Sequence, residues 1–89
     1  MIEIIWEDSF VKKFKKLKKS NPDLTDKFIE KVNLFSDNPY NAGLKTHKLS
    51  GKLSDYWAFS IDFNYRVVFR FGEDDIVYFM AIGTHDEVY

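Results

Sequence analysis

The sequence predicts an α+β domain: one strand, two antiparallel helices, then a sheet of three or four strands against that helical hairpin. Three observations carry this. Apolar residues recur at helical spacing between Phe10 and Phe35. The apolar period changes to two after Leu44. The segments that follow are joined by links short enough to favour antiparallel neighbours. With 89 residues, the chain suits one domain spanning 1–89.

Ile2, Ile4 and Trp6 alternate with Glu3 and Ile5, which suits a short strand with one buried face. Glu7-Asp8-Ser9 offers capping side chains and negative charge to a helix start. Phe10, Phe14 and Leu17 then form one stripe, with lysines between them. The helix ends at Ser20-Asn21-Pro22, where Asn21 suits the cap of a second helix and Pro22 its first turn. Leu24, Phe28, Val32 and Phe35 make the second stripe, closed by Asp37-Asn38-Pro39. Leu44 to Leu49 is a weak strand candidate. Tyr56–Asp62, Tyr65–Phe71 and Ile76–Ile82 have the aromatic and β-branched composition of strands, with connections at Phe63-Asn64 and Gly72–Asp75.

A small domain must bury area efficiently, and nine Phe, five Tyr and two Trp supply large apolar groups for it. The absence of cysteine excludes disulfides and thiolate metal sites, and two histidines are too few for an ordinary structural zinc site. No cofactor or metal is expected. With no signal-like start and no apolar run near the roughly 20 residues that span a bilayer, the expectation is a cytoplasmic protein without a membrane partner. The net charge of −1 conceals an asymmetry: residues 1–52 hold eleven lysines against seven acids, and residues 53–89 hold two arginines against seven acids. Six lysines fall between Lys12 and Lys19, giving either a solvated helix face or a phosphate-contacting one.

Alternation separates the faces of the sheet. Trp57, Phe59 and Ile61 share one side with Tyr65, Val67, Phe69 and Phe71, and belong under the helices. Tyr56, Ser60, Asp62, Arg66, Val68 and Arg70 share the other, which the helices are not expected to cover. Arg66 and Arg70 are the only arginines. A guanidinium on a rigid sheet is a good phosphate clamp; the plainer reading is that both arginines pair with Asp62 and other acids, and it suits Arg70 better than Arg66. His47 lies in a polar segment and His85 just beyond the last strand. Lone exposed histidines usually do nothing, but two beside a basic sheet face suggest acid–base work, because imidazole exchanges protons near neutral pH.

The order strand, αα-hairpin, antiparallel sheet resembles the RelE/ParE superfamily of type II toxins. Leu44-Lys45-Thr46-His47-Lys48-Leu49-Ser50-Gly51 is similar to its His-x-Leu-x-Gly loop, and Tyr56-Trp57 with Tyr65-Arg66-Val67-Val68-Phe69 to its central strands. Gly83-Thr84-His85-Asp86-Glu87-Val88-Tyr89 looks like the terminus of the YafQ-like branch, which cuts messenger RNA. The resemblance implies a ribosome-dependent, metal-independent endoribonuclease neutralised by a cognate antitoxin. It implies His85 as general acid or base, Arg66 on the transition state, His47 as partner in proton transfer and Tyr89 as the aromatic that orients a base. Lys12, Lys13, Lys16, Lys45, Lys48, Lys52 and Tyr65 are expected to meet RNA and ribosome. Asn64 stands where some YafQ-like members have an acid, Ala81 where they have a basic residue, and Ser60 where they have another histidine. Two rival readings share the fold: a ParE-like inhibitor of DNA gyrase, which would lack the terminal histidine pattern, and a decayed module that only binds its antitoxin. The antitoxin's flexible segment is expected to fold across the domain, adding a helix or strand to its surface, with part of the apolar stripes of Phe10, Phe14, Leu24 and Phe28 exposed to it.

Overall fold

The computed structural model describes residues 2–89. The chain runs through β1 (Glu3–Trp6), α1 (Asp8–Ser20) and α2 (Pro22–Asp37) to a 3-10 turn at Ala42–Leu44. It continues as β2 (His47–Lys48), a second 3-10 turn at Gly51–Leu53, β3 (Trp57–Ser60), β4 (Tyr65–Phe71), β5 (Ile76–Thr84) and a short α3 (His85–Val88). The α+β class and the order from β1 to β5 match the sequence expectation, and the short terminal helix α3 is an addition to it. The sheet has the order β1-β5-β4-β3-β2; its pairings are antiparallel except that β1 runs parallel to β5 at one edge. Among the described residues, no helix is long and apolar enough to cross a membrane.

Both helical stripes face the sheet. Phe10, Phe28, Phe35, Phe59, Phe69 and Phe79 are fully buried, and Leu24, Val67, Val77 and Ile82 close the gaps between them. Phe35 lies 5.0 Å from both Phe59 and Phe69, centroid to centroid, and 5.6 Å from Phe79, mostly edge to face as ring quadrupoles prefer. Asn21 caps α2 as expected, its side chain accepting from the Leu24 N–H, with Pro22 opening the helix.

Several expectations need correction. The Glu7-Asp8-Ser9 segment makes no side-chain cap on α1; Ser9 Oγ instead donates to the Met80 carbonyl across the fold at 3.0 Å. Leu44 belongs to the 3-10 turn and is fully buried, leaving only His47–Lys48 as strand. Phe71, expected in the core, is 37% exposed at the far end of β4, where it packs with Trp57 and Tyr40. Trp6 is 38% exposed because β1 is an edge, although its ring still meets Phe10, Phe14 and Phe28. The helical stripe offered as an antitoxin surface is not available in this fold: Phe10, Leu24 and Phe28 are covered by the sheet, and Phe14 is partly buried on the same core.

One irregularity decides what each side of the sheet carries. Val68 pairs with Ala81, but Phe69 pairs with Phe79, so Met80 is an extra residue on β5. Such a bulge reverses the alternation. Before it, Val77 and Phe79 point to the helices; after it, Ile82 does, and Gly83 opposite Arg66 falls on the other side. The Met80 carbonyl freed by the bulge is the one that Ser9 satisfies.

Candidate active site

The sheet face away from the two long helices is not bare. Beyond Gly83 the chain turns into α3 and folds back over β4 and β5. A Cβ on Gly83 would sit 3.1 Å from Glu87 Cβ and 3.3 Å from Val88 Cγ1, so the glycine admits the turn at close range. Thr84 and Glu87 form a capping box: the Glu87 carboxylate accepts from the Thr84 N–H at 2.9 Å and its hydroxyl at 3.1 Å. β1 pairs only with Ile76–Phe79, and beside the later part of β5 Lys13 reaches from α1 to Glu87 Oε2 at 2.6 Å. Lys13, and with it the two Thr84 hydrogen bonds, hold the Glu87 carboxyl down at about 2, against an ordinary 4.5. The short terminal turn is thus pinned from both ends of the chain.

That turn delivers His85 and Tyr89. Their rings meet edge to face at 4.5 Å between centroids. The Tyr89 ring lies 5.5 Å from the Arg66 guanidinium carbon, and its hydroxyl lies 3.5 Å from His47 Nε2. His47 is set by its own loop. Lys45 adopts a left-handed conformation (φ 53°), and its carbonyl accepts from the His47 ring at Nδ1, 3.0 Å away. A neutral ring that donates from Nδ1 presents Nε2 as an acceptor toward Tyr89. His85 is 62% exposed, with Nδ1 3.5 Å from the Asp86 carboxylate.

Arg66 projects from the middle of the sheet, opposite Ser60 on one side and Gly83 on the other. It forms no ion pair among the described residues, and its Nε is buried without a hydrogen-bond partner. The acid proposed as its structural partner is otherwise engaged. Asp62 Oδ1 accepts from the N–H groups of Asn64 and Tyr65 at 2.9 and 2.7 Å, and Oδ2 lies 3.8 Å from Lys27. Arg70 has a different fate, stacking 4.0 Å over its cross-strand neighbour Tyr78.

Of the residues singled out from sequence, His47, Arg66, His85 and Tyr89 therefore come together, in a chain of contacts through the Tyr89 ring. Lys45 and Lys48 flank them on the His47 loop, and Lys52 is exposed on the following 3-10 turn. Lys12 and Lys16 are exposed on α1. Two expected RNA contacts change meaning. Lys13 is committed to Glu87. Tyr65 lies in phase with Val67 and packs against the core, on the other side of the sheet from Arg66. Lys31 was missed: it lines a groove with His47 and Arg66, and Nζ donates to the Gly43 carbonyl at 3.1 Å. Nothing in its helical sequence context distinguishes it from its neighbours.

No protein of curated function matches this sequence. Among solved structures, the chain superposes over its whole length on 99% of YafQ from E. coli, with a TM-score of 0.83 at 21% identity. It matches a YoeB/ParE toxin from Agrobacterium tumefaciens at TM-score 0.81 and 18% identity, covering 94% of this chain and 99% of that one. The YoeB–YefM complex from Staphylococcus aureus gives 0.77 at 20% identity, over 96% and 98% of the respective chains. These likenesses establish the fold. The family model for the ParE toxin of type II toxin–antitoxin systems matches residues 4–89. The chain belongs to the ParE toxin family of type II toxin–antitoxin systems.

Proposed function

We propose that this toxin is an endoribonuclease that cuts messenger RNA on the ribosome by attack of a ribose 2′-OH on the adjacent phosphate. The observation that carries the reading is the convergence of two imidazoles, a phenol and an unpaired guanidinium on one sheet face. His47 Nε2, left as acceptor by the bond from Nδ1 to Lys45, takes the proton of the 2′-OH. The new O2′–P bond forms as the P–O5′ bond breaks, and His85 gives the leaving O5′ its proton. Arg66 meets the charge that builds on the phosphate, where a preorganised cation contributes most. Tyr89, between the three, yields its 3.5 Å contact with His47 Nε2 to the incoming 2′-OH and presents its ring to a base. The products are a 2′,3′-cyclic phosphate and a 5′-hydroxyl, with every proton accounted for and no metal required by the chemistry.

The partner in the resting state is a small antitoxin. The solved DinJ–YafQ complex from E. coli and the YoeB–YefM complex, both with this fold in the toxin, support that reading.

The test is cleavage of a message on purified translating ribosomes, with the new ends mapped. Discrete cuts within translated codons are expected, and His85→Ala and Arg66→Ala should each lower the rate by about 10²–10³-fold while keeping the parent's melting behaviour. Full activity in both variants would remove the assignment. The ParE family match favours a second reading, inhibition of DNA gyrase; intact messages together with DNA damage in induced cells would select it.

A further inference from the structure

We propose that the groove between α2 and the His47 loop is a nucleotide subsite, in which Phe63 stacks the base on the 5′ side of the cut and Lys31 and Lys45 hold its phosphate. The proposal rests on the nuclease reading and extends it to residues that reading does not use. The groove has a volume of about 550 Å³, and Lys31, Lys45, His47, Asp62, Phe63 and Arg66 are among the residues lining it.

Phe63 is the first reason. It is 94% exposed, in a turn whose shape is made without it. Asp62 holds that turn through the N–H groups of Asn64 and Tyr65, and the Ile61 N–H closes it on the Tyr65 carbonyl at 2.9 Å. A turn favours small polar residues at such a place, and an exposed phenyl forfeits the gain of burial. A flat ring standing free beside a cationic groove is what an unstacked nucleobase needs.

Charge is the second reason. Lys31, Lys45 and Arg66 line the groove against a single acid, Asp62, whose carboxylate already serves two N–H groups and lies near Lys27. Lys31 spends one N–H on Gly43 and keeps two for a phosphate. Arg66 adds a guanidinium that makes no ion pair among the described residues.

The direction of the strand follows from the roles at the centre. His47 lines this groove and also a second, of about 330 Å³, that contains Leu49, Leu53, His85 and Tyr89. If His85 protonates the leaving O5′, the 3′ nucleotide lies in that second groove. The nucleotide that supplies the 2′-OH then lies on the Phe63 side.

The experiment compares the parent with Phe63→Ala, Phe63→Trp and Lys31→Gln on programmed ribosomes carrying a message randomised around the cut. Phe63→Ala should raise KM about tenfold, the order of a lost base–aromatic stack, with a smaller fall in kcat, and should flatten base preference at the nucleotide 5′ to the cut. Phe63→Trp should keep both. Lys31→Gln should raise KM a few-fold and reduce the dependence of log KM on log salt by about one. A parent that cuts, with KM and preference untouched in Phe63→Ala, overturns the subsite alone. A parent that cuts nothing overturns the nuclease reading beneath it. Weaker binding of the antitoxin by Phe63→Ala, with cleavage unaltered, would assign the ring to the protein partner and end the proposal.

Discussion

The two sides of the sheet are held in order by different physics. Toward the helices, large rings from α1, α2, β3, β4 and β5 fill a dry interior, and each is fixed by many weak contacts. Toward the site, order comes from a few directional bonds: Glu87 with Thr84 and Lys13, and His47 with Lys45. The first side withstands small errors of geometry and fails when volume is lost. The second buries only small side chains of the sheet, Ala58 and Val68, and sets its catalytic groups by single hydrogen bonds, so it should fail in activity well before it fails in stability.

Three measurements would break or sharpen that contrast. The largest effect is expected on the helix side. Phe79 touches Phe10, Phe28, Phe35, Phe59 and Phe69, and Phe79→Ala should cost about 3–5 kcal/mol in urea unfolding, a large part of the stability of a domain this small. A loss below about 1 kcal/mol would mean that the core closes up around the cavity.

The next effect is on the site side. Lys13→Met should lower the urea midpoint at neutral pH far less than Phe79→Ala does, and reduce cleavage by up to about a hundredfold, because small misplacements of catalytic groups are expensive. Its signature is a titration. The Glu87 carboxyl is depressed to about 2, so its contacts are complete above the ordinary 4.5 and are lost as pH falls from there toward 2. In Lys13→Met the midpoint, followed by carboxyl NMR, should climb back toward 4.5. An unmoved midpoint would show that Thr84 alone holds the turn.

The smallest effect belongs to the outer face of α1. Lys12→Gln with Lys16→Gln should weaken ribosome binding a few-fold at low salt, and less as salt rises. An unchanged affinity would restore the plain solvated helix.

The same contrast governs what the sequence could disclose. The helix side was legible because its information is periodic: Phe10, Phe14 and Leu17, then Leu24, Phe28, Val32 and Phe35, are spaced as the helices require. Placing Arg66 opposite Val67 needed only the pleat. The convergence of His47, His85 and Tyr89 was suggested by likeness to known termini and loops, since no pattern in the residues encodes how a chain end folds back. Three determinants stayed hidden. The bulge at Met80 has no compositional mark, the left-handed turn at Lys45 is carried by a residue type that does not advertise it, and the Lys13–Glu87 contact joins positions 74 apart. Tyr65 shows the converse error, an aromatic credited with recognition that packing had already claimed.

The extra residue in β5 makes the length of that strand a matter of anatomy. Exchanging Met80 for another side chain would alter one contact, whereas deleting it would transpose inside and outside for all that follows. Ile82 would turn to water, Gly83 would face the rings, and the last five residues would be delivered to the wrong half of the molecule. Insertions belong in the Gly72–Asp75 turn, where Asp74 and Asp75 already sit in left-handed backbone (φ 54° and 63°) and no such parity is kept.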